Sequence, residues 1–376
     1  MKLRLLKFDT INPELYLTKK INENIKLIEE MNRQEFLDWS ISLRSNFSDF
    51  YSYNLNKLGW EAEEFFVNDH YIDKVADDLY GKYKKLRFLK ESAFNKLIPV
   101  RDRTKLNIIL DYVKKYKPDV IFVREISGLP SSLWKSFSDK TLIVNRIATI
   151  VPKQWSLRDW DLIFTSTNTY KNFFELNHID SYINSNGFEE RVLKEMINAD
   201  KKYEVTFVGS MSKKLWNERV KIAEYISDKV DFKWWGMKNA DETSRSSINK
   251  AYQGITSGLE MFQIYKQSKI VFNDYPAMSE GAGVNQRMFE VMGTGSLLLT
   301  KDAENIRNNF PGDVFVTFRD EKDCLDKIKY YLKNEKEREE IALAGQKFIL
   351  ENYSYEKLMI EVDKVLRESY RKKFNK

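Results

Sequence analysis

Between residues 268 and 300 the chain collects side chains suited to holding a phosphate. A β-rich apolar run at 270–272 ends on the polar pair Asn273 and Asp274, and a loop of small residues follows, with Ser279, Glu280, Gly281, Ala282 and Gly283. Residues 284–292 then repeat apolar side chains at helical spacing (Val284, Met288, Val291, Met292), Gly293 and Gly295 stop the helix, and 297–300 reads as a second buried strand. Strand, small-residue loop, helix, strand is a βαβ unit. Its loop would present backbone N–H groups of Gly281, Ala282, Gly283, Val284 and Asn285, and a positive helix end, to an anion above the sheet.

Arg287 and Glu290 lie three apart on one helical face. The guanidinium would neutralise a diphosphate, and the carboxylate one turn deeper would accept the two hydroxyls of a ribose. The competing reading is an exposed ion pair of little energetic weight. The small-residue loop and the buried strands on both sides favour a ligand role.

The stretch RMFEVMGTGSLLLT resembles the C-terminal signature of GT-B glycosyltransferases, in particular the branch similar to the spore-maturation protein CgeB. A second resemblance lies in WDLIFTS at 160–166 and Asn186-Gly187-Phe188, which in that branch lead into the domain linker. The resemblance implies a nucleotide-sugar donor, with Glu290 on the ribose. In the retaining members a first glutamate sits eight positions earlier, where this chain has Ala282, with Glu280 as the shifted alternative. The stereochemistry therefore leans to retention by resemblance only.

The implied architecture is α/β: two Rossmann-like doubly wound domains facing a cleft, with a C-terminal helix crossing back to the first. Residues 1–200 plus the helix 355–376 would form the acceptor domain, and residues 201–354 the nucleotide-sugar domain. The acceptor implied is a bacterial glycan, a lipid-linked glycan or a protein.

Composition is compatible and excludes several classes. The 376 residues, 42% hydrophobic and 31% charged, suit about two soluble domains. One cysteine, Cys324, rules out a disulfide framework, and two histidines disfavour a histidine-rich metal centre. No apolar run reaches the ~18 residues of a membrane span, so the expected location is cytoplasmic, with peripheral contact at the inner membrane face as an option. The net charge of +6 suits anionic nucleotides without selecting them. Nothing resembles a nucleic-acid-binding signature.

Strands are expected near 3–8, 62–67, 120–123, 142–145 and 160–166 in the first half. In the second they are expected near 204–208, 231–236, 269–273, 297–300 and 314–318. Residues 16–43 read as one helix. Doubly wound sheets carry ligands beyond the carboxyl ends of their strands. That gives weight to Asp9, Asp69, His70, Arg124, Glu125 and Arg146 in the first half. In the second half it gives weight to Gly209, Ser210 and Asn273, with Lys213, Lys214 and Arg219 as cations for the departing diphosphate. His70 is the first candidate for a general base, and Asp69 and Glu125 are its rivals. His178 and Cys324 read as structural. Trp234 and Trp235 could stack a base or sugar, although adjacent strand residues face opposite ways, so at least one belongs to the core. The one Asp-x-Asp triplet, Asp159-Trp160-Asp161, opens a strand instead of closing one, so transfer without a metal is expected. A non-catalytic scaffold, a nucleotide-sugar epimerase and a nucleic-acid-modifying sugar transferase are the alternative functions.

Overall fold

The computed structural model describes residues 2–68, 100–124, 129–147, 151–153, 155–238, 246–275 and 284–375, with the backbone alone for 100–105, 213–216 and 246. The chain divides into two compact units. The first comprises Met1–Ser42, Phe47–Asn184 and Met359–Lys376; the second comprises Leu43–Asn46 and Ser185–Leu358. The boundary therefore falls at 184/185, earlier than the expected 200/201. The segment after it is tied into the second unit: Gln263 exchanges two hydrogen bonds with the Ile197 backbone, at 2.8 and 3.1 Å.

In the first unit, β1 (Arg4–Asp9), β2 (Glu61–Phe66), β3 (Val120–Arg124), β4 (Leu142–Arg146), β5 (Leu162–Thr165) and β6 (Ser181–Ile183) form one parallel sheet in the order β2-β1-β3-β4-β5-β6. Period-two alternation sorts their side chains. Leu6, Phe8, Ile121, Val123, Ile143 and Ile163 enter one core cluster with Trp134, Ile109 and Val113. On the other face Phe122 stacks on Phe164 and touches Tyr51. The last residues of the helix Tyr355–Phe374 pack here: Asp363 accepts from Trp60 Nε1, Tyr370 bonds Asp119, and Lys373 bonds Asp161. Asp161 is thus structural, as is Asp159, which accepts from Ser131.

The single helix expected at 16–43 is three: Glu14–Glu23, Ile25–Glu30 and Arg33–Ser42. Asn32 is the reason for the second break. Its side chain accepts from the backbone N–H groups of Gln34 and Glu35, while Glu35 accepts from the Asn32 N–H. That reciprocal capping box starts a new helix inside an otherwise helical composition.

In the second unit, β7 (Tyr203–Val208), β8 (Phe232–Trp235), β9 (Ser268–Asn273), β10 (Leu297–Lys301) and β11 (Val316–Phe318) make a parallel sheet in the order β11-β10-β9-β7-β8. Val205, Phe207, Phe232, Trp234, Ile270, Phe272, Leu297 and Leu299 point into one core cluster. Trp235 is buried on the other side, edge-on to Tyr203, so both tryptophans are core and neither offers a stacking platform. Cys324 is fully buried in the first cluster, and burial pushes its thiol far above its usual range. Cys324 should therefore resist iodoacetamide in the native protein and react fully in denaturant, as read by intact-mass spectrometry.

Candidate functional site

A parallel sheet ordered 2-1-3-4-5 has its switch point between its first and third strands, which here are β7 and β9. The chain leaves β7 through Gly209 and Ser210 and leaves β9 through Asn273 and Asp274. Two arginines converge there from helices of different packing. Arg219 belongs to the helix Lys213–Ser227, whose Val220 and Ala223 join the core cluster with Phe207. Arg287 belongs to the helix Gln286–Gly293, whose buried Met288, Val291 and Met292 lie outside that cluster.

The two guanidiniums lie 5.3 and 4.6 Å from the centre of the Phe207 ring. Arg219 donates to the carbonyls of Asp274 (2.7 Å) and Ser210 (3.2 Å), with the Asp274 carboxylate 3.8 Å from its Nε. Arg287 donates to the Val208 carbonyl (2.8 Å) and to Asn273 Oδ1 (2.7 Å). Asn273 is itself fixed by Thr300 (3.0 Å) and Asn285 (3.1 Å). Gly209 is required by this packing: a Cβ there would meet an Arg287 nitrogen at 2.5 Å and the Phe207 ring at 2.7 Å.

The electrostatics follow from that crowding. Burial, then repulsion from Arg287, brings Arg219 down to about 9, and Asp274 only partly offsets them. Burial raises the Asp274 carboxyl. Among the described side chains, two guanidiniums meet here with Asp274 and, one turn further along, Glu290, two acids whose charged forms burial disfavours, and such a site suits a diphosphate.

Glu290 lies one turn further along. Burial pushes its carboxyl up to about 7, against the pull of Arg287 and a hydrogen bond from Gln286. Among the described residues it makes no ion pair with Arg287, so the exposed-pair reading fails. Tyr265 is buried beside both charges. The Glu290 value fixes a sign. Its ordinary value is 4.5. Between 4.5 and 7 the folded state holds a proton that the unfolded state has lost, so stability of the free protein falls as pH rises through that window. A hydroxyl-binding role needs the ionised form. Nucleotide affinity should then rise with pH by up to about tenfold per unit below 7 and level off above. Titration calorimetry of UDP on wild type and Glu290→Gln checks this, and the variant should lose the difference.

The helix containing these residues begins at Gln286 and not at Val284. Asn285 is its N-cap, accepting from the Met288 N–H at 3.3 Å. Of the sequence candidates, the structure brings together Gly209, Ser210, Arg219, Asn273, Asn285, Arg287 and Glu290. Lys213 and Lys214 open the helix after Ser210, and Val284 precedes Asn285. Glu280, Gly281, Ala282 and Gly283, and the base candidates His70, Asp69 and Glu125, lie outside the described residues. Sequence reasoning missed Phe207, the ring between the two arginines, and the anchoring role of Thr300. The signal for Phe207 was its parity with Gly209, which puts both on one side of β7.

Comparison with known proteins fits this geometry. Residues 189–363 match the model of a glycosyl transferase-like family. A search of curated proteins finds no match. Among solved structures, a glycosyltransferase from Rickettsia africae aligns over 99% of both chains with a TM-score of 0.56 and 13% identity. HepE from Anabaena, solved in complex with UDP-glucose, aligns over 97% of this chain and 100% of its own, with a TM-score of 0.57 and 10% identity. The fold is GT-B. It does not select the reaction: UDP-GlcNAc 2-epimerase from Neisseria meningitidis aligns over 98% of this chain and 100% of its own, with a TM-score of 0.51 and 11% identity. Among the described residues, no helix is long and apolar enough to cross a membrane, and no group of three or more His, Cys, Asp or Glu could hold a metal.

Proposed function

We propose that the chain is a glycosyltransferase of the CgeB-like kind that takes a sugar from a nucleoside diphosphate donor bound to its second unit. The observation that carries this is the meeting of Arg219 and Arg287 over Phe207 at the β7/β9 switch point, with the Asp274 carboxylate 3.8 Å from Arg219. The two guanidiniums would stabilise the diphosphate as it leaves, which is the charge that develops in the transition state. Glu290 would accept the ribose hydroxyls, and the Gly209–Ser210 turn would let the phosphates approach the backbone. Lys213 and Lys214, and the backbone of residues 280–285, would complete the phosphate contacts. With guanidiniums in that place the transfer proceeds without a metal ion. The first unit would take the acceptor, a glycan, lipid-linked glycan or protein, at the inner face of the membrane. The stereochemical course leans to retention.

The match of residues 189–363 to a glycosyl transferase-like family supports this reading over an epimerase. Thermal denaturation against UDP, GDP, CMP, dTDP and ADP, with and without EDTA, tests it. One nucleotide should stabilise the protein saturably, with no effect of EDTA, and Glu290→Ala should lose that response. If no nucleotide stabilises the wild type at millimolar concentration, the reading is wrong and a non-catalytic scaffold replaces it. If the sugar of the bound donor is altered with no acceptor present, the protein is an epimerase.

A further inference from the structure

The first unit has a switch point of its own, between β1 and β3. Alternation along the strands places Lys7 and Asp9 (β1), Glu64 (β2), Arg124 (β3) and Arg146 (β4) on one face, together with Phe122 and Tyr51. All five ionisable side chains are buried, the two arginines at 3% exposure each. Lys7 Nζ lies 2.6 Å from Glu64 and 3.1 Å from Asp9, so it takes up most of the available negative charge. Arg124 reaches what is left of Asp9 at 3.5 Å.

Arg124 and Arg146 are direct partners in the β3/β4 register. Neighbouring parallel strands lie about 4.8 Å apart, and like charges facing each other across a sheet destabilise it. Among the described side chains of this face, Lys7, Arg124 and Arg146 stand with Asp9 and Glu64, and Arg146 also reaches the Asn184 carbonyl at 3.5 Å. Both guanidiniums also approach the Phe47 ring, Arg124 at 3.0 Å and Arg146 at 5.7 Å from its centre. Nε and Nη1 of Arg124 are buried and find no hydrogen-bond acceptor among the described residues. Buried donors of a charged group are costly to leave unmade. A single anion beside the pair would screen the repulsion and accept from both nitrogens, and a guanidinium fork matches a carboxylate or a phosphate.

We propose that Arg124 and Arg146 bind an anionic group of the acceptor, a carboxylate or a phosphate monoester, at the switch point of the first unit. The anion site itself rests on the geometry of this unit; its assignment to the acceptor rests on the reading under Proposed function. That makes the acceptor an acidic glycan or a phosphorylated one, in preference to a neutral sugar.

The test uses the full chain and three probes, inorganic phosphate, glucuronate and neutral glucose, each read by thermal denaturation and calorimetry, with UDP titrated in parallel. Expected is saturable stabilisation by phosphate or glucuronate and none by glucose at about 50 mM. In Arg124→Gln the dissociation constant for the anion should rise roughly tenfold or more, while that for UDP stays within about twofold. The tighter of the two anions names the source. Arg124→Lys keeps the charge and the fold but loses the fork, and it should also weaken the anion by several-fold. An unchanged anion response in both variants, or no response of the wild type to either anion, overturns the proposal and leaves Arg124 as a structural partner of Asp9. Loss of the anion response in a protein that never binds UDP would sink the nucleotide reading and leave this site standing.

Discussion

Arg287→Ala is expected to lower transfer from the nucleotide donor by two to three orders of magnitude or more, the scale seen when one preorganised donor to a developing anion is removed. Three roles end together. The guanidinium supplies half of the positive pair at the switch point. It bridges Val208 at the end of β7 to Asn273 at the end of β9, at 2.8 and 2.7 Å. It also covers the face of Phe207. The stability loss should be smaller, about 1–3 kcal/mol, because Asn273 keeps its bonds to Asn285 and Thr300 and only the Val208 carbonyl is left without this partner. Arg287→Lys retains a charge but cannot span two acceptors, and it should recover little activity. Steady-state kinetics beside urea denaturation separates the effects. An Arg287→Ala protein that still turns over at near wild-type rate would remove the basis of the donor-site assignment.

The second large effect is structural. Gly236 follows β8 with φ +140°, and a Cβ there would sit 2.1 Å from the Gly209 carbonyl oxygen and 2.6 Å from its carbonyl carbon. Both obstacles are backbone, held by the Gly209 N–H bond to Trp235 (2.8 Å), so neither can swing aside. Gly236→Ala therefore combines an unfavourable φ, about 1–3 kcal/mol, with overpacking of another 1–3 kcal/mol or so. A total of about 2–6 kcal/mol is a large share of a domain's usual 5–15 kcal/mol. Gly254 is the control. It has φ +101° but open space around its missing Cβ, so Gly254→Ala should cost only the conformational part. Thermal denaturation should show a marked loss for the first and a modest loss for the second. Equal losses would mean that backbone conformation alone, and not the Gly209 contact, dictates glycine at 236. Under the proposed function the position also matters for binding, because a displaced Gly209 would move the turn proposed to meet the phosphates and its contact with Arg287.

Much of this was legible in one dimension. The strands announced themselves by short β-rich apolar runs ending in polar pairs. The helix with Arg287 and Glu290 was readable because its apolar stripe and glycine stop are local signals with a fixed period. Where competing local chemistry intervened, the reading failed. Asn32 and Glu35 restart a helix within a sequence that is helical throughout, and Asn285 delays one by two residues by capping it. The boundary at 184/185 was missed for a different reason. Residues 185–200 join the second unit through contacts such as Ile197 with Gln263, which no local pattern encodes.

The sequence by itself determined the α/β fold class, the place of the βαβ unit at 268–300 and the residue types at its strand ends, since all of these depend on periodicity and spacing. It could not decide which cations meet. Arg219 and Arg287 are far apart in the chain and come from helices that pack differently against the sheet. Only strand order puts β7 beside β9 and closes both guanidiniums over Phe207. In the first unit, likewise, the β3/β4 register alone makes Arg124 and Arg146 neighbours. Tertiary structure decided the charges too: Glu290 reads as an ordinary helical carboxylate until burial moves its proton affinity to about 7.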